Sequence, residues 1–256
     1  MSVASLKSFA RRALRALLRG VLRLRAEPYT AAPQAVTLVL APHQDDEILG
    51  CGGLLATKRL VGSPVHVAFL TDGAASHPDH PALAPVALAK LRTTEARAAL
   101  RQLGVETSAI HFLGAPDGRL DRLTSAESTA HSLQLTELLA RIRPDEIFLP
   151  YRHDGSTEHE AAFLLVATAL LASGQSPRVF EFPVWSWWNP LLLLRTLHRV
   201  RRVSCHRFSG YGFMKTAALA AYASQVASTP PWSHAVLSHE FTRAFTSSEE
   251  EFFLEL

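Results

Sequence analysis

Val36-Thr37-Leu38-Val39-Leu40-Ala41-Pro42-His43-Gln44-Asp45-Asp46-Glu47 is the stretch from which the rest of the chain is read. Val36 to Leu40 is a short apolar run with β-branched residues, the pattern of a buried strand. The polar cluster that follows therefore sits where a central strand ends and a helix begins. Open α/β sheets bind their ligands at such ends. One imidazole and three carboxylates fall within five residues, and left unpaired beside a core they would be expensive. A divalent cation resolves that cost, and a donor set of His and Asp suits zinc. The plainer reading is a loop whose Asp caps the next helix. A cap needs neither His43 nor the doubled carboxylate.

Outward from this stretch, strands alternate with helices. Residues 48–61 read as a helix. Its Gly50-Cys51-Gly52-Gly53 is not a dinucleotide fingerprint, because the glycines come too far after the strand and the third is absent. Strands are expected at 65–70, 109–113, 146–149 and 179–184, and helices at 85–103, 126–142 and 159–173. Gly104 is placed to cap the first of these three helices. The alternation implies βαβ units. The expected fold is α/β: a Rossmann-like, mostly parallel sheet with helices on both faces, preceded by an N-terminal amphipathic helix. Beyond it, 200–208 read as a strand and 215–222 as a helix. In 226–256 the pattern offers only a helix near Glu249–Leu254.

Charge divides the chain at its N-terminal end. Residues 1–27 carry seven Lys/Arg and one Glu, a net +6, and the remainder is −3. The body has no basic stripe interleaved with aromatics, so nucleic acid is not an expected partner. Leu6, Phe9, Ala13, Leu17, Val21 and Leu24 recur at helical spacing among arginines, which makes residues 5–25 a basic amphipathic helix suited to an anionic membrane surface. The arginines exclude a secretory signal and a membrane span. The competing account is a helix packed on its own domain. Residues 1–33 thus form helix and linker, with the linker at Glu27–Pro33, and 34–256 form the body. Cys51 and Cys205 read as core thiols of a protein in a reducing compartment.

A catalytic zinc site takes three protein ligands and leaves one position open. His43 and Asp46 can supply two. The third is sought at another strand end, in His77-Pro78-Asp79-His80 or in His153-Asp154-Gly155-Ser156-Thr157-Glu158-His159.

Over residues 36–225 the sequence resembles the PIG-L/LmbE family of zinc-dependent N-deacetylases. Pro42-His43-Gln44-Asp45-Asp46-Glu47 matches the family's Pro-His-x-Asp-Asp-Glu. Thr71-Asp72-Gly73, Arg92 with Glu95, Leu113-Gly114 with Asp117, Glu181 with Trp185, and Tyr222-x-Ser224-Gln225 follow in the family's order. The resemblance implies that His43, Asp46 and His159 bind zinc and that Asp45 is the general base. It implies that Arg92 and Asp117 contact a sugar. The alternatives for these two are an ion pair of Arg92 with Glu95 and a turn Asp before Gly118. It also implies removal of the N-acetyl group from an amino sugar or glycoconjugate, free or lipid-linked. That substrate carries a linear, non-peptide amide, N-acetylglucosamine being the type sugar.

The family's second motif is His-x-Asp-His after the fourth strand; its last His falls on His159, its acidic position on Glu158 and its first His on Ser156, which can donate one hydrogen bond but cannot be a cationic acid. His153 is the substitute nearest in sequence, and its alternative is a surface His beside Asp154. His77-Pro78-Asp79-His80 spells the motif on the wrong loop. Trp185, Trp187 and Trp188 read either as a carbohydrate platform or as core. With no Gly-x-Ser-x-Gly and no His-Glu-x-x-His, serine-hydrolase and zincin chemistry have no support. Two other readings stand beside the sugar deacetylase: a zinc-retaining sugar- or lipid-binding module without turnover, and a deacylase of a non-sugar amide. The expected location is the cytoplasm, with peripheral contact on the inner membrane face through residues 5–25.

Overall fold

A computed structural model describes residues 3–30 and 32–255. Ala31, within the expected linker, lies outside the described residues, as do Met1, Ser2 and Leu256.

The central strand β2 (Thr37–Ala41) is buried along its whole length. Its side chains alternate between two cores, Val39 and Ala41 on one face and Leu38 and Leu40 on the other. The alternation is why an uninterrupted apolar run suits it. β3 (Val65–Thr71) and β4 (Ile110–Ala115) follow on one side of β2, and β5 (Glu146–Pro150) and β6 (Arg178–Phe182) on the other. All four pairings among these strands are parallel. Strand order thus reverses between β2 and β5, and a crevice opens at their carboxyl ends.

The connecting helices α2 (Asp46–Leu60) and α3 (Pro85–Gln102) cover one face, while α4 (Ser125–Ile142) and α5 (Thr157–Ser173) cover the other. α4 begins with a capping box between Thr124 and Glu127, and α3 carries its Pro at the first turn, where no amide hydrogen is needed. α2 lies close against its neighbours. A Cβ on Gly50 would come within 2.1 Å of the Phe182 ring, and one on Gly53 within 2.3 Å of Phe208. These glycines serve helix packing and not a phosphate.

Further on come α6 (Trp185–Trp188), α7 (Pro190–Thr196), β7 (Arg202–Arg207), α8 (Gly212–Ala220), α9 (Ala223–Val226) and α10 (His239–Thr246). Residues 250–255, expected as a helix, are a strand, β8 (Glu250–Glu255), antiparallel to both β6 and β7. Phe252, Phe253 and Leu254 are buried there in the middle of the sheet, so both faces of the strand are apolar and no alternation marks it.

The N-terminal helix α1 (Val3–Arg25) runs into β1 (Ala26–Pro28), which pairs with β7 and completes an eight-stranded sheet. The expected linker thus begins inside a strand. α1 lies on the body through one side. Leu18 and Leu22 are fully buried, Arg25 donates to the carbonyls of Leu197 and Val200, and Arg11 stacks 3.9 Å from the Trp188 ring. The opposite side keeps an apolar stripe in solvent, with Leu6 59%, Phe9 58%, Leu17 60% and Leu24 90% exposed. No helix among the described residues is long and apolar enough to cross a membrane.

Candidate metal centre

The β2 and β5 ends supply the site. Asp45 stands at the N-cap position of α2, yet its side chain makes no capping bond and its φ is 144°. A residue with a side chain rarely adopts that backbone, and such strain gathers where geometry is dictated by function. The turn frees the carboxylate of Asp45, whose Oδ2 lies 3.3 Å from Arg92 Nη2. Arg92 also donates to the Gln44 carbonyl. Burial, against the pull of Arg92, pushes the Asp45 carboxyl up to about 6.

Asp46 takes the other direction. Its Oδ2 lies 3.2 Å from His43 Nδ1 and 3.4 Å from His159 Nε2. With metal–ligand bonds of about 2.0–2.1 Å, a tetrahedral zinc places neighbouring ligand atoms about 3.3 Å apart. His159 Nε2 is buried and has no hydrogen-bond partner. An orphaned imidazole nitrogen facing a carboxylate and a second imidazole is what a metal ligand looks like, so these residues fit zinc. Burial works against the charge of Asp46, but His159 and His43 hold its carboxyl well below the usual carboxylate range. Burial likewise opposes protonation of His159, yet Asp46 and Asp154 outweigh it and push the imidazole up to about 9. A dication on the same donors replaces those protons, so its affinity falls as pH falls.

Both imidazoles are oriented from behind. His159 Nδ1 meets Asp154 Oδ2 at 2.8 Å, which leaves Nε2 as the lone-pair nitrogen. Asp154 is fully buried and is held by the backbone N–H groups of Val184, Trp185 and Ser186 and by the Ser186 hydroxyl. On the other imidazole, His43 Nε2 lies 3.2 Å from Asp117 Oδ1 and 3.0 Å from Glu158 Oε2, which turns Nδ1 toward Asp46. Glu158 is itself held by the Leu120 N–H, and Asp117 by that of Ala75.

A cavity of about 520 Å³ opens on this centre, lined by Asp45, Arg92, Asp117, Ser156, Trp185 and Gln225 among others. Arg92 does not pair with Glu95, which instead accepts from the Ser224 backbone and hydroxyl. Its Nε and Nη1 are buried without partners. Ser156 is the N-cap of α5 and accepts from the His159 N–H. The three tryptophans divide: Trp185 lines the cavity, while Trp187 is core and donates to the Ala244 carbonyl. Of the residues expected at the site, His153 alone stands apart. Its ring packs edge-on to Tyr151 and its Nε2 lies 3.4 Å from Arg199 Nη1, away from the cavity walls. With Asp154 anchored to residues 184–186, the loop turns His153 outward. His77 and His80 pack against Trp232 and form no metal-holding group among the described residues.

Two functional side chains escape the sequence reading. Asp154 enters it only as the neighbour of His153, and Glu158 only as the residue at the family's acidic position, with no contact to His43 expected of it. Asp154 has one available signal, its place in the same strand-end loop five residues before a candidate ligand.

The model of the family described as PIG-L, GlcNAc-PI de-N-acetylase, matches residues 38–170, just over half of the chain. No curated protein matches the sequence. Among solved structures, the conserved protein TT1542 of Thermus thermophilus is 28% identical with a TM-score of 0.56, over 75% of this chain and 80% of that one. The N,N'-diacetylchitobiose deacetylase of Pyrococcus horikoshii is 22% identical with a TM-score of 0.57, over 82% and 77%. GalB, the 4-carboxy-2-hydroxymuconate hydratase of Pseudomonas putida, is 17% identical with a TM-score of 0.63, over 84% of each chain. The last two share the fold at an identity that leaves chemistry to be argued from the site.

Proposed function

The chain belongs to the PIG-L family, and on that premise we propose that it is a zinc-dependent hydrolase that removes the N-acetyl group from an amino sugar or glycoconjugate. The observation that carries the reading is the convergence of His43 Nδ1, Asp46 Oδ2 and the unpartnered His159 Nε2 beside a carboxylate that is not part of the set. A zinc ion on those three atoms would supply a Lewis acid and a water of lowered pKa.

The chain's own residues do the rest. Asp45, with a carboxyl pushed up to about 6, takes the proton of the attacking water and returns it to the departing amine. Arg92 fixes one oxygen of Asp45 and borders the pocket with its guanidinium. Ser156 accepts from the His159 N–H, so its own O–H is free to donate to the acetamide oxygen as charge develops there. Asp117 orients His43 with one oxygen and borders the sugar pocket. Trp185, 40% exposed, offers a flat apolar wall to a sugar ring. His153 takes no part. α1 adds peripheral contact with the inner membrane face, supported by its outward stripe and its net charge. On this reading the protein works in the cytoplasm, and a lipid-linked sugar is the substrate that such contact favours.

The test is acetate release by the purified zinc-loaded protein from a panel of N-acetylated sugars and glycolipids, read by mass spectrometry. Asp45→Asn should keep zinc and lose roughly 10²–10⁴-fold in turnover. Ser156 in place of an acid favours one other reading, a binding module without turnover. Tight binding of a panel member with no acetate released would establish that alternative.

A further inference from the structure

Between α1 and α10 lies a second cavity of about 530 Å³, which the deacetylation chemistry does not use. Arg12, Arg15 and Arg19 line it from successive turns of α1, and Arg243 lines it from α10. Glu240 is the one carboxylate on its wall among the described residues. It is already engaged by the Ser8 hydroxyl at 2.6 Å and by Arg11 at 3.9 Å.

Arg15 is only 8% exposed, and its Nη1 has no hydrogen-bond partner. Arg19 Nε is likewise buried and unpartnered. Burial first, and neighbouring guanidinium groups second, pull both side chains below the ordinary arginine value. Buried N–H groups without acceptors are costly, and like charges gathered in one recess add to the cost. An anion with several oxygens relieves the repulsion, and the guanidinium groups that wall the recess supply its donors. Guanidinium forks match a phosphate, and a tetrahedral anion can meet donors from two helices at once.

The rim of this cavity is continuous with the outward stripe of α1. Arg12 and Ala16 border the recess, and Phe9, Ala13 and Leu17 face solvent on the adjoining side of the same turns. A cationic recess beside an exposed apolar stripe has the layout of an interfacial helix lying in a membrane plane. The +6 of residues 1–27 against −3 elsewhere turns this side of the molecule toward negative charge.

We propose that the cavity between α1 and α10 is a headgroup site for an anionic phospholipid, with the phosphate among Arg12, Arg15, Arg19 and Arg243 and the acyl chains against Phe9 and Leu17. The proposal rests on the membrane-contact reading for the source of the phosphate. It is independent of the deacetylase reading, because no residue of the cavity lines the metal centre.

The test is sedimentation of the full chain with vesicles of phosphatidylcholine alone or mixed with phosphatidic acid. Arg12 and Arg243 are exposed, so Arg12→Gln/Arg243→Gln preserves the fold, which circular dichroism checks. The control is Lys7→Gln/Arg23→Gln, which removes the same charge from α1 outside the cavity. Generic attraction to an anionic leaflet costs each double variant its share, about fivefold per cation. The cavity variant should lose about tenfold more than the control. Leu17→Asp should release the protein from vesicles while keeping the protection that inorganic phosphate gives against thermal unfolding. Equal losses in the two double variants would leave only diffuse attraction and overturn the site. Protection by inorganic phosphate with no binding to phosphatidic acid vesicles would overturn the lipid. Activity on a water-soluble N-acetyl sugar should be the same in all of these variants, so failure of the deacetylase reading leaves the vesicle result standing.

Discussion

Asp154→Asn changes one oxygen into an amide at a fully buried position, and its consequences can be worked from the hydrogen bonds. Oδ1 accepts from the Val184 N–H, the Ser186 N–H and the Ser186 hydroxyl. Oδ2 accepts from the Trp185 N–H and meets His159 Nδ1, both at 2.8 Å. An asparagine keeps its carbonyl on the side with three donors and places its NH₂ on the other. That NH₂ faces the Trp185 N–H and leaves it unsatisfied, at about 1–3 kcal/mol. With roughly 2–4 °C per kcal/mol for a chain of this size, Tm should fall by roughly 2–12 °C. The same NH₂ asks His159 Nδ1 to accept, so the imidazole moves its proton to Nε2, the atom that faces Asp46. Loss of such an orienting partner costs about 10–100-fold in metal affinity. Zinc competition against a chromophoric chelator, at a temperature where circular dichroism shows the variant folded, measures this directly. A zinc Kd within twofold of the wild type would mean that Asp154 does not set the His159 tautomer, and the metal reading of Nε2 would lose its support.

Three further outcomes follow from other positions in the fold. His153→Ala should leave kcat within about twofold, because the ring faces Arg199, whereas Ser156→His should raise turnover toward the roughly 10²-fold lower end of acid catalysis; the opposite pattern in steady-state kinetics would put His153 in the acid role. Gly50→Ala should destabilise by about 1–3 kcal/mol or more through overpacking, since the new Cβ would meet the Phe182 ring at 2.1 Å, and urea unfolding reads the change. His66 and His111 stack with ring centroids 5.5 Å apart, and burial lowers both, with repulsion from His66 adding to the fall of His111 to about 4. A depressed histidine pKa means that the unfolded chain binds the proton more readily. The stability it contributes is therefore complete above about 6.5 and drains away as pH falls toward 4, and the double substitution with phenylalanine should flatten Tm against pH in that window.

Legibility followed the range of the signal. β2 and the loop after it could be read because one continuous stretch holds both the buried run and the polar cluster, and the β5 loop because His159 lies near a strand end. β8 could not, since Phe252, Phe253 and Leu254 between glutamates show neither period, and only its place between β6 and β7 makes them a strand. β1 is three residues ending in Pro28, too short to stand out from a linker. Asp154 depends on amides 30–32 residues further along the chain, which no local pattern displays. The stripe of α1 was visible as a helical repeat. That one side of the helix packs on the body while the stripe stays in water is a property of the fold.

The position of β8 also orders events during synthesis. β2 to β6 and α2 to α5 are made in succession and pair with one another. β7 joins the sheet through β8, and β1 through β7. Arg23 and its partner Glu250 are 227 residues apart. At about 5–20 residues per second, α1 waits roughly 10–45 s on the nascent chain before its seat exists. During that interval Leu18 and Leu22 are as bare as Phe9 and Leu17, and the helix is basic and apolar on all sides. A nascent segment of that kind can settle on a lipid surface before the body closes behind it.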